Sequence, residues 1–174
     1  LLAILSDIHA NREAFEAVLA AARAAGAERF VVLGDIVGYG ADPEWCAERA
    51  MDLSAAGAIV LRGNHDDAVG NPSVSMNPTA TFALEWTRRQ LGSATRAFLA
   101  GLPFKARDGD CLFVHADASA PSDWNYVLDT SDAGEHLAAC EARVSFCGHV
   151  HKPALYCTAA AGKVTYFCPV AATP

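Results

Sequence analysis

Short apolar runs alternate with amphipathic stretches from the first residue onward. Leu1 to Leu5 is unbroken apolar sequence, as a strand covered on both faces requires. Behind it Asn11 offers an N-cap, Phe15, Val18, Leu19 and Ala22 recur at helical spacing, and Gly26 supplies a stop, which predicts a helix over 12–25. The alternation repeats with a strand at 30–33, a helix opened by Asp42-Pro43 and running to about Ala56, and a strand at 58–61. Two β-α-β crossovers result, the mark of a layered α/β fold. Helices are predicted from Asn77-Pro78 to about Gln90 and from Ser93 to Gly101, forming a cap beside the first layer. Strands at 104–107 and 111–114 flank Asp108-Gly109, residues that tolerate the positive φ of a hairpin turn, and they open a second layer. A helix over 131–141, a strand over 143–147 and a hairpin of 154–158 with 163–168 around Gly162 complete the pattern.

Composition narrows the class. With 174 residues, 52% of them hydrophobic, the chain is expected to bury one core and to fold as a single domain over 1–174. A net charge of −7 argues against a surface built for nucleic acid or anionic lipid. The six cysteines form no C-x-x-C pair, and all but Cys46 and Cys140 sit in apolar runs, so they are read as reduced core residues. No run reaches the ~18–20 apolar residues of a membrane helix, and the start lacks a charged segment followed by an apolar one. The expectation is a cytoplasmic protein, although the chain opens at Leu1 directly inside an apolar run.

The chemistry gathers where the strands end. The runs finish in Asp7-Ile-His9, Leu33-Gly-Asp35, Gly63-Asn64-His65-Asp66, Val114-His115 and Gly148-His149-Val-His151. Any one of these recurs by chance, but five at the same kind of position point to a common purpose. In an open α/β sheet the carboxyl ends of the strands share one crevice, so these side chains are expected to converge. Two carboxylates, an amide and four or five imidazoles exceed the needs of one tetrahedral ion, and a dinuclear divalent site is the natural filling. His136, in mid-helix, falls outside the set and is read as a surface or helix-packing residue.

The ordered motifs resemble the calcineurin-like metallophosphoesterases, most of all their small bacterial and archaeal members, and the likeness covers almost the whole chain. It implies a four-layer α-β-β-α sandwich with two mixed sheets and helices outside. It further implies that Asp7, His9 and His151 hold one metal, that Asn64, His115 and His149 hold the other, that Asp35 bridges them, and that His65 faces the substrate. Two divalent ions of the Mn, Fe, Zn or Ni kind, manganese preferred, would activate a shared water for in-line attack on phosphorus, and His65 would protonate the leaving group as general acid. The expected activity is hydrolysis of a small phosphoester.

Departures from the family refine that expectation. Protein Ser/Thr phosphatases of this superfamily carry G-D-x-x-D-R-G, where Gly38 and Tyr39 stand here. Losing that Asp-Arg pair favours phosphodiesters or nucleotide-type esters over monoesters such as phosphoproteins. Arg12 and Arg62 flank the motifs as candidate substrate contacts, each with an ordinary ion pair as the plainer reading. Ala10 and Ala116 replace usual glycines, at about 1 kcal/mol each if φ is positive there. The family continues beyond the position of Pro174 into a closing strand, which the likeness implies here too. Rival readings are a monoesterase, a non-catalytic scaffold of the same fold, and a thiol hydrolase using Cys111 or Cys147. A metallo-β-lactamase would need H-x-H-x-D-H, which is absent.

Overall fold

The computed structural model describes residues 1–159 and 162–169. Strands β1 (Leu2–Leu5), β2 (Arg29–Val32) and β3 (Ile59–Val60) lie side by side in that order, all parallel, with Leu5 opposite Val32 and Val32 opposite Val60. Their unbroken apolar sequence comes from being covered twice. Alternate residues Ala3, Leu5, Phe30, Val32 and Val60 pack toward the helices, while Leu2, Ile4, Val31, Leu33 and Leu61 pack toward a second sheet.

The helical layer consists of α1 (Arg12–Ala24) and α2 (Pro43–Ala55), joined by α3 (Asn64–Gly70), α4 (Pro78–Gln90) and α5 (Ser93–Gly101). Asn11 Oδ1 accepts the Ala14 N–H at 3.0 Å and Asn77 Oδ1 accepts that of Ala80 at 2.9 Å, as the predicted N-caps require. Phe15, Leu19, Cys46, Leu53 and Leu99 bring this layer onto the first sheet, each fully buried large side chain contributing about 1.5–3 kcal/mol.

The second sheet holds β4 (Lys105–Asp108), β5 (Cys111–Val114) and β6 (Val144–Phe146), with β4 antiparallel and β6 parallel to β5. Phe113 and Phe146 stack at 5.5 Å between the two sheets. Outside it lie α6 (Thr130–Ala139) and the antiparallel hairpin of β7 (Leu155–Thr158) and β8 (Val164–Phe167). The order helix, sheet, sheet, helix is the four-layer sandwich. Among the described residues the first sheet is purely parallel and only the second is mixed, which corrects the expectation of two mixed sheets.

Three further expectations need correction. Asn64 to Gly70 form a helix where only a strand-end motif had been read; Asp66 and Asp67 in its first turn stabilise the positive end of the helix dipole, and Asp66 Oδ2 accepts the Gly63 N–H at 3.0 Å. Cys147, Cys157 and Cys168 are exposed rather than core: Cys157 lies on the outer strand β7, and Cys147 and Cys168 fall just past the ends of β6 and β8. Ala10 does adopt positive φ, at +56°, whereas Ala116 is not among the described positive-φ residues. The implied closing strand and the residues at 170–174 lie outside the described residues. Among the described residues no helix is long and apolar enough to cross a membrane.

Candidate metal centre

The carboxyl ends of both sheets meet at one edge of the sandwich. The loop after β1 is laid along the loop after β2 by backbone bonds from Asp7 N to Gly34 O (3.1 Å), His9 N to Asp35 O (2.8 Å) and Ala10 N to Ile36 O (2.9 Å). The loop after β3 is tied to them by Asp66, whose Oδ1 accepts the N–H groups of Ile36 and Val37 at 3.0 and 3.1 Å. This approach demands glycine at 63, where a Cβ would lie 2.1 Å from Asp35 Oδ1. Five of the site residues, Asp7, His9, Asp35, His149 and His151, hold the left-handed conformation with φ between +50° and +68°. Such backbone costs about 1–3 kcal/mol per residue and persists only where surrounding contacts impose it.

The side chains converge as the motifs predicted. Asp7 with His9 and His151, His9 with Asp35 and His65, and Asp35 with His115 and His149 each offer ligand atoms near enough to share an ion. His9 Nε2 lies 3.1 Å from His151 Nε2, and His151 Nε2 lies 3.2 Å from Asp7 Oδ1. Asp35 Oδ2 lies 3.4 Å from His115 Nε2 and 3.7 Å from His9 Nε2. Two atoms each about 2.0–2.3 Å from one ion stand about 3–3.7 Å apart, so these separations suit shared ions with Asp35 between two groups.

The donor chemistry fits a metal as well. Asn64 Oδ1 and His115 Nε2 are buried without any hydrogen-bond partner, an arrangement native interiors rarely leave unfilled. His115 Nδ1 is 3.2 Å from Leu33 O, His9 Nδ1 is 3.4 Å from Val37 O and His149 Nε2 is 3.0 Å from Trp124 O. Donation to those carbonyls would orient the rings and turn the opposite nitrogen of each toward the cluster, where an arriving cation takes the place of any proton. Asn64 lines the same cavity as Asp35, His65, His149 and His151.

Electrostatics reflect the crowding. Although burial opposes it, His115 and the other nearby imidazoles hold Asp35 well below the usual carboxylate range. Burial likewise opposes a charged His115, yet Asp35 raises it to about 9, so a cation arriving at Nε2 displaces a proton. Burial lowers His65 to about 4 and also lowers His9 and His149. Burial and the neighbouring Asp35 push Asp66 up to about 7.

His65 sits within this cluster. Its backbone N–H donates to Asp35 Oδ1 at 2.9 Å, and its ring lies 4.8 Å from His9 and 4.6 Å from Tyr39. Its Nδ1 has no partner, and a Cβ at residue 38 would come within 2.3 Å of it. Position 38 thus faces His65, but its φ of +93° and this contact are built around glycine. Gly38→Ala is expected to destabilise the fold by about 1–3 kcal/mol from crowding, plus about 1 kcal/mol of backbone strain, and to lower turnover. Equal melting temperatures for variant and parent would contradict that packing.

The two arginines have other occupations. Arg12 lies over the Trp45 ring at 4.8 Å and pairs with Glu16 at 3.4 Å. Arg62 pairs with Asp67 at 3.0 Å, donates to the Leu102 and Ala100 carbonyls, and covers the Phe104 ring at 4.7 Å. His136 is a packing residue: it is buried, accepts the Ala118 N–H at 3.2 Å on Nδ1 and meets Ser145 Oγ at 2.8 Å through Nε2.

Two joined cavities open over the cluster. The smaller, of about 310 Å³, is lined by Asp35, Tyr39, Asn64, His65, His149 and His151 among others. The larger, of about 640 Å³, is reached past Asn64, Ser75, Tyr126 and His149, which line both. Tyr39, Asp66, Trp124 and Tyr126 were missed by sequence reasoning. For Asp66 the available signal was an acid in the first turn of a helix; the aromatics carried none.

Comparisons with known proteins address the fold and the family. A family model, the calcineurin-like phosphoesterase superfamily domain, matches residues 1–173. An uncharacterized protein of Methanocaldococcus jannaschii is 33% identical over 164 residues, covering 88% of this chain and 63% of that protein. The chain therefore spans less than two thirds of that relative. The crystal structure of a metallophosphoesterase from Sphaerobacter thermophilus superposes with a TM-score of 0.81 at 35% identity, covering 97% of this chain and 68% of that one. A hypothetical protein of Pyrococcus horikoshii OT3 shares the fold, with a TM-score of 0.77 at 21% identity over 94% of this chain and 75% of its own. With the family match running from Leu1 to residue 173, the chain belongs to the calcineurin-like phosphoesterase superfamily.

Proposed function

We propose that this chain hydrolyses phosphoesters at two divalent ions, one held by Asp7, His9 and His151, the other by Asn64, His115 and His149, with Asp35 between them. The observation that carries the reading is the pair of orphaned buried ligand atoms, Asn64 Oδ1 and His115 Nε2, beside an Asp35 carboxylate within 3.4 Å of the latter. Bound ions would supply Lewis acidity, making water acidic and offsetting charge on the phosphoryl oxygens. The chain's own groups do the rest. Asp35 Oδ1 accepts the backbone N–H of His65 and so fixes the start of the helix that carries that imidazole into the cavity over the cluster. As water oxygen bonds to phosphorus and the ester P–O bond breaks, the departing oxygen needs a proton, and His65 is the group proposed to deliver it.

The preferred substrate is a phosphodiester or nucleotide-type ester. Supporting this, neither cavity is lined by Lys or Arg among the described residues, and the guanidinium of Arg62 is committed to Asp67 and two carbonyls. A dianionic monoester would find no cationic clamp. The second reading, a phosphomonoesterase, rests on the same metal cluster. A thiol enzyme is disfavoured because no cysteine lines either cavity among the described residues.

Metal removal tests the core of the proposal. Protein stripped with chelator is expected to lose diester hydrolysis and to regain it with Mn²⁺, at a stoichiometry approaching two ions per chain by elemental analysis. Each site filled at one hundred times its Kd should add about 2.7 kcal/mol of stability, read as a rise in Tm. No bound metal and no activity with Mn, Fe, Zn or Ni would favour the scaffold instead.

A further inference from the structure

The larger cavity extends away from the metal cluster past Asn64 and His149, and its volume of about 640 Å³ lies within the ordinary range for small-molecule sites. Its lining is unusual for a site that adjoins a phosphoester. Among the described residues no Lys or Arg lines it, and Asp123 contributes a carboxylate that accepts a hydrogen bond from the Ser122 hydroxyl at 3.5 Å. Asp67, the other acid, is neutralised by Arg62. A polyphosphate or acidic peptide entering here would meet like charge. A neutral group bearing hydroxyls would find acceptors in Asp123 and donors in Ser73, Ser75 and Asn71.

Aromatic surface completes the site. Tyr126 stacks on His149 with centroids 4.1 Å apart and planes at 13°, and at 53% exposure its other face is open. Trp124 stands 5.7 Å from Phe104 in the same lining. The segment that presents them is held firmly: Asp117 accepts bonds from Ser119 N (2.8 Å), Ser119 Oγ (2.7 Å), Ala120 N (3.3 Å) and Asn125 Nδ2 (3.4 Å). A planar base on the open face of Tyr126 would gain stacking energy without needing sequence-specific contacts.

We propose that this cavity is a nucleoside subsite, so that the ester taken at the adjoining metal cluster carries an uncharged nucleoside on its phosphorus. The inference rests on the proposed phosphoesterase activity and names the organic half of its substrate. Tyr126 supplies the stacking platform, and Asp123 and the serines meet the sugar hydroxyls. Asp123 also disfavours esters with further phosphates on the nucleoside side.

Two p-nitrophenyl phosphodiesters, identical in leaving group and differing only in thymidine 5′-yl against ethyl, test it with the Mn²⁺-loaded protein. The expected kcat/KM ratio favours the thymidine ester by at least tenfold, and Tyr126→Ala brings the ratio below about threefold. Asp123→Asn is expected to narrow the discrimination between the thymidine ester and a thymidine triphosphate ester. In parallel, thymidine is titrated into the protein by calorimetry, with binding weakened by Tyr126→Ala. A ratio near one, together with no thymidine binding, overturns the subsite. Thymidine binding with neither ester hydrolysed keeps the subsite and overturns the phosphoesterase reading, so the two failures are distinct.

Discussion

Asp35→Asn is expected to lower kcat/KM for a diester by more than about a hundredfold and to reduce bound metal from two ions per chain to one or fewer. Losing a group that only supports a ligand already costs 10–100-fold, and Asp35 is proposed as a ligand shared by both ions. Its position explains the size of the effect. Oδ2 stands 3.4 Å from His115 Nε2 and 3.7 Å from His9 Nε2, one nitrogen from each proposed metal group, while Oδ1 accepts the backbone N–H of His65. The amide keeps the shape and the acceptor oxygen but removes the charge that offsets two cations in a buried setting. Metal content and kinetics must be read together. A variant that keeps two ions and its activity within twofold would remove Asp35 from between the metals.

His65→Ala is expected to separate substrates by their leaving groups. Alkyl esters, whose departing oxygen must be protonated, should fall by about 10²–10⁴-fold, and nitrophenyl esters by less than about tenfold. Equal losses for both would end the general-acid assignment. The pH dependence has a definite sign. Burial lowers the imidazole to about 4, so near neutrality it is mostly neutral in the free protein, and its acid form grows as pH falls toward 4. The ratio of kcat/KM for alkyl over nitrophenyl esters should therefore rise with acidification, effects common to both substrates cancelling. His65→Ala should leave that ratio flat.

Much of the fold and of the metal cluster was legible in the sequence alone, and the reason is physical. Strand ends and helix caps are local events, so Asp7, Asp35, His115 and His149 could be located from where apolar runs stop. What escaped depends on distant contacts. Asp66 stands directly after the Asn64-His65 pair in sequence, yet its role, gathering three backbone N–H groups from two loops, exists only once those loops meet. Tyr126 and Trp124 lie in a segment without periodicity, placed by the Asp117 carboxylate rather than by a helix or strand. Cys147, Cys157 and Cys168 misled for a related reason: an apolar run marks a strand, but where the strand stops and which of its faces is covered depend on its neighbours.

The left-handed backbone at Asp7, His9, Asp35, His149 and His151 carries a consequence for how this site can drift in evolution. Among residues other than glycine, Asp, Asn and His tolerate that conformation best, and they are also the oxygen and nitrogen donors a divalent ion accepts. The fold and the chemistry therefore draw on one short alphabet at these positions. Exchange among its letters retunes the centre while sparing the chain trace. Exchange for valine or isoleucine removes the donor and strains the loop together, so descendants that abandon catalysis should still be found keeping small polar residues at these five places.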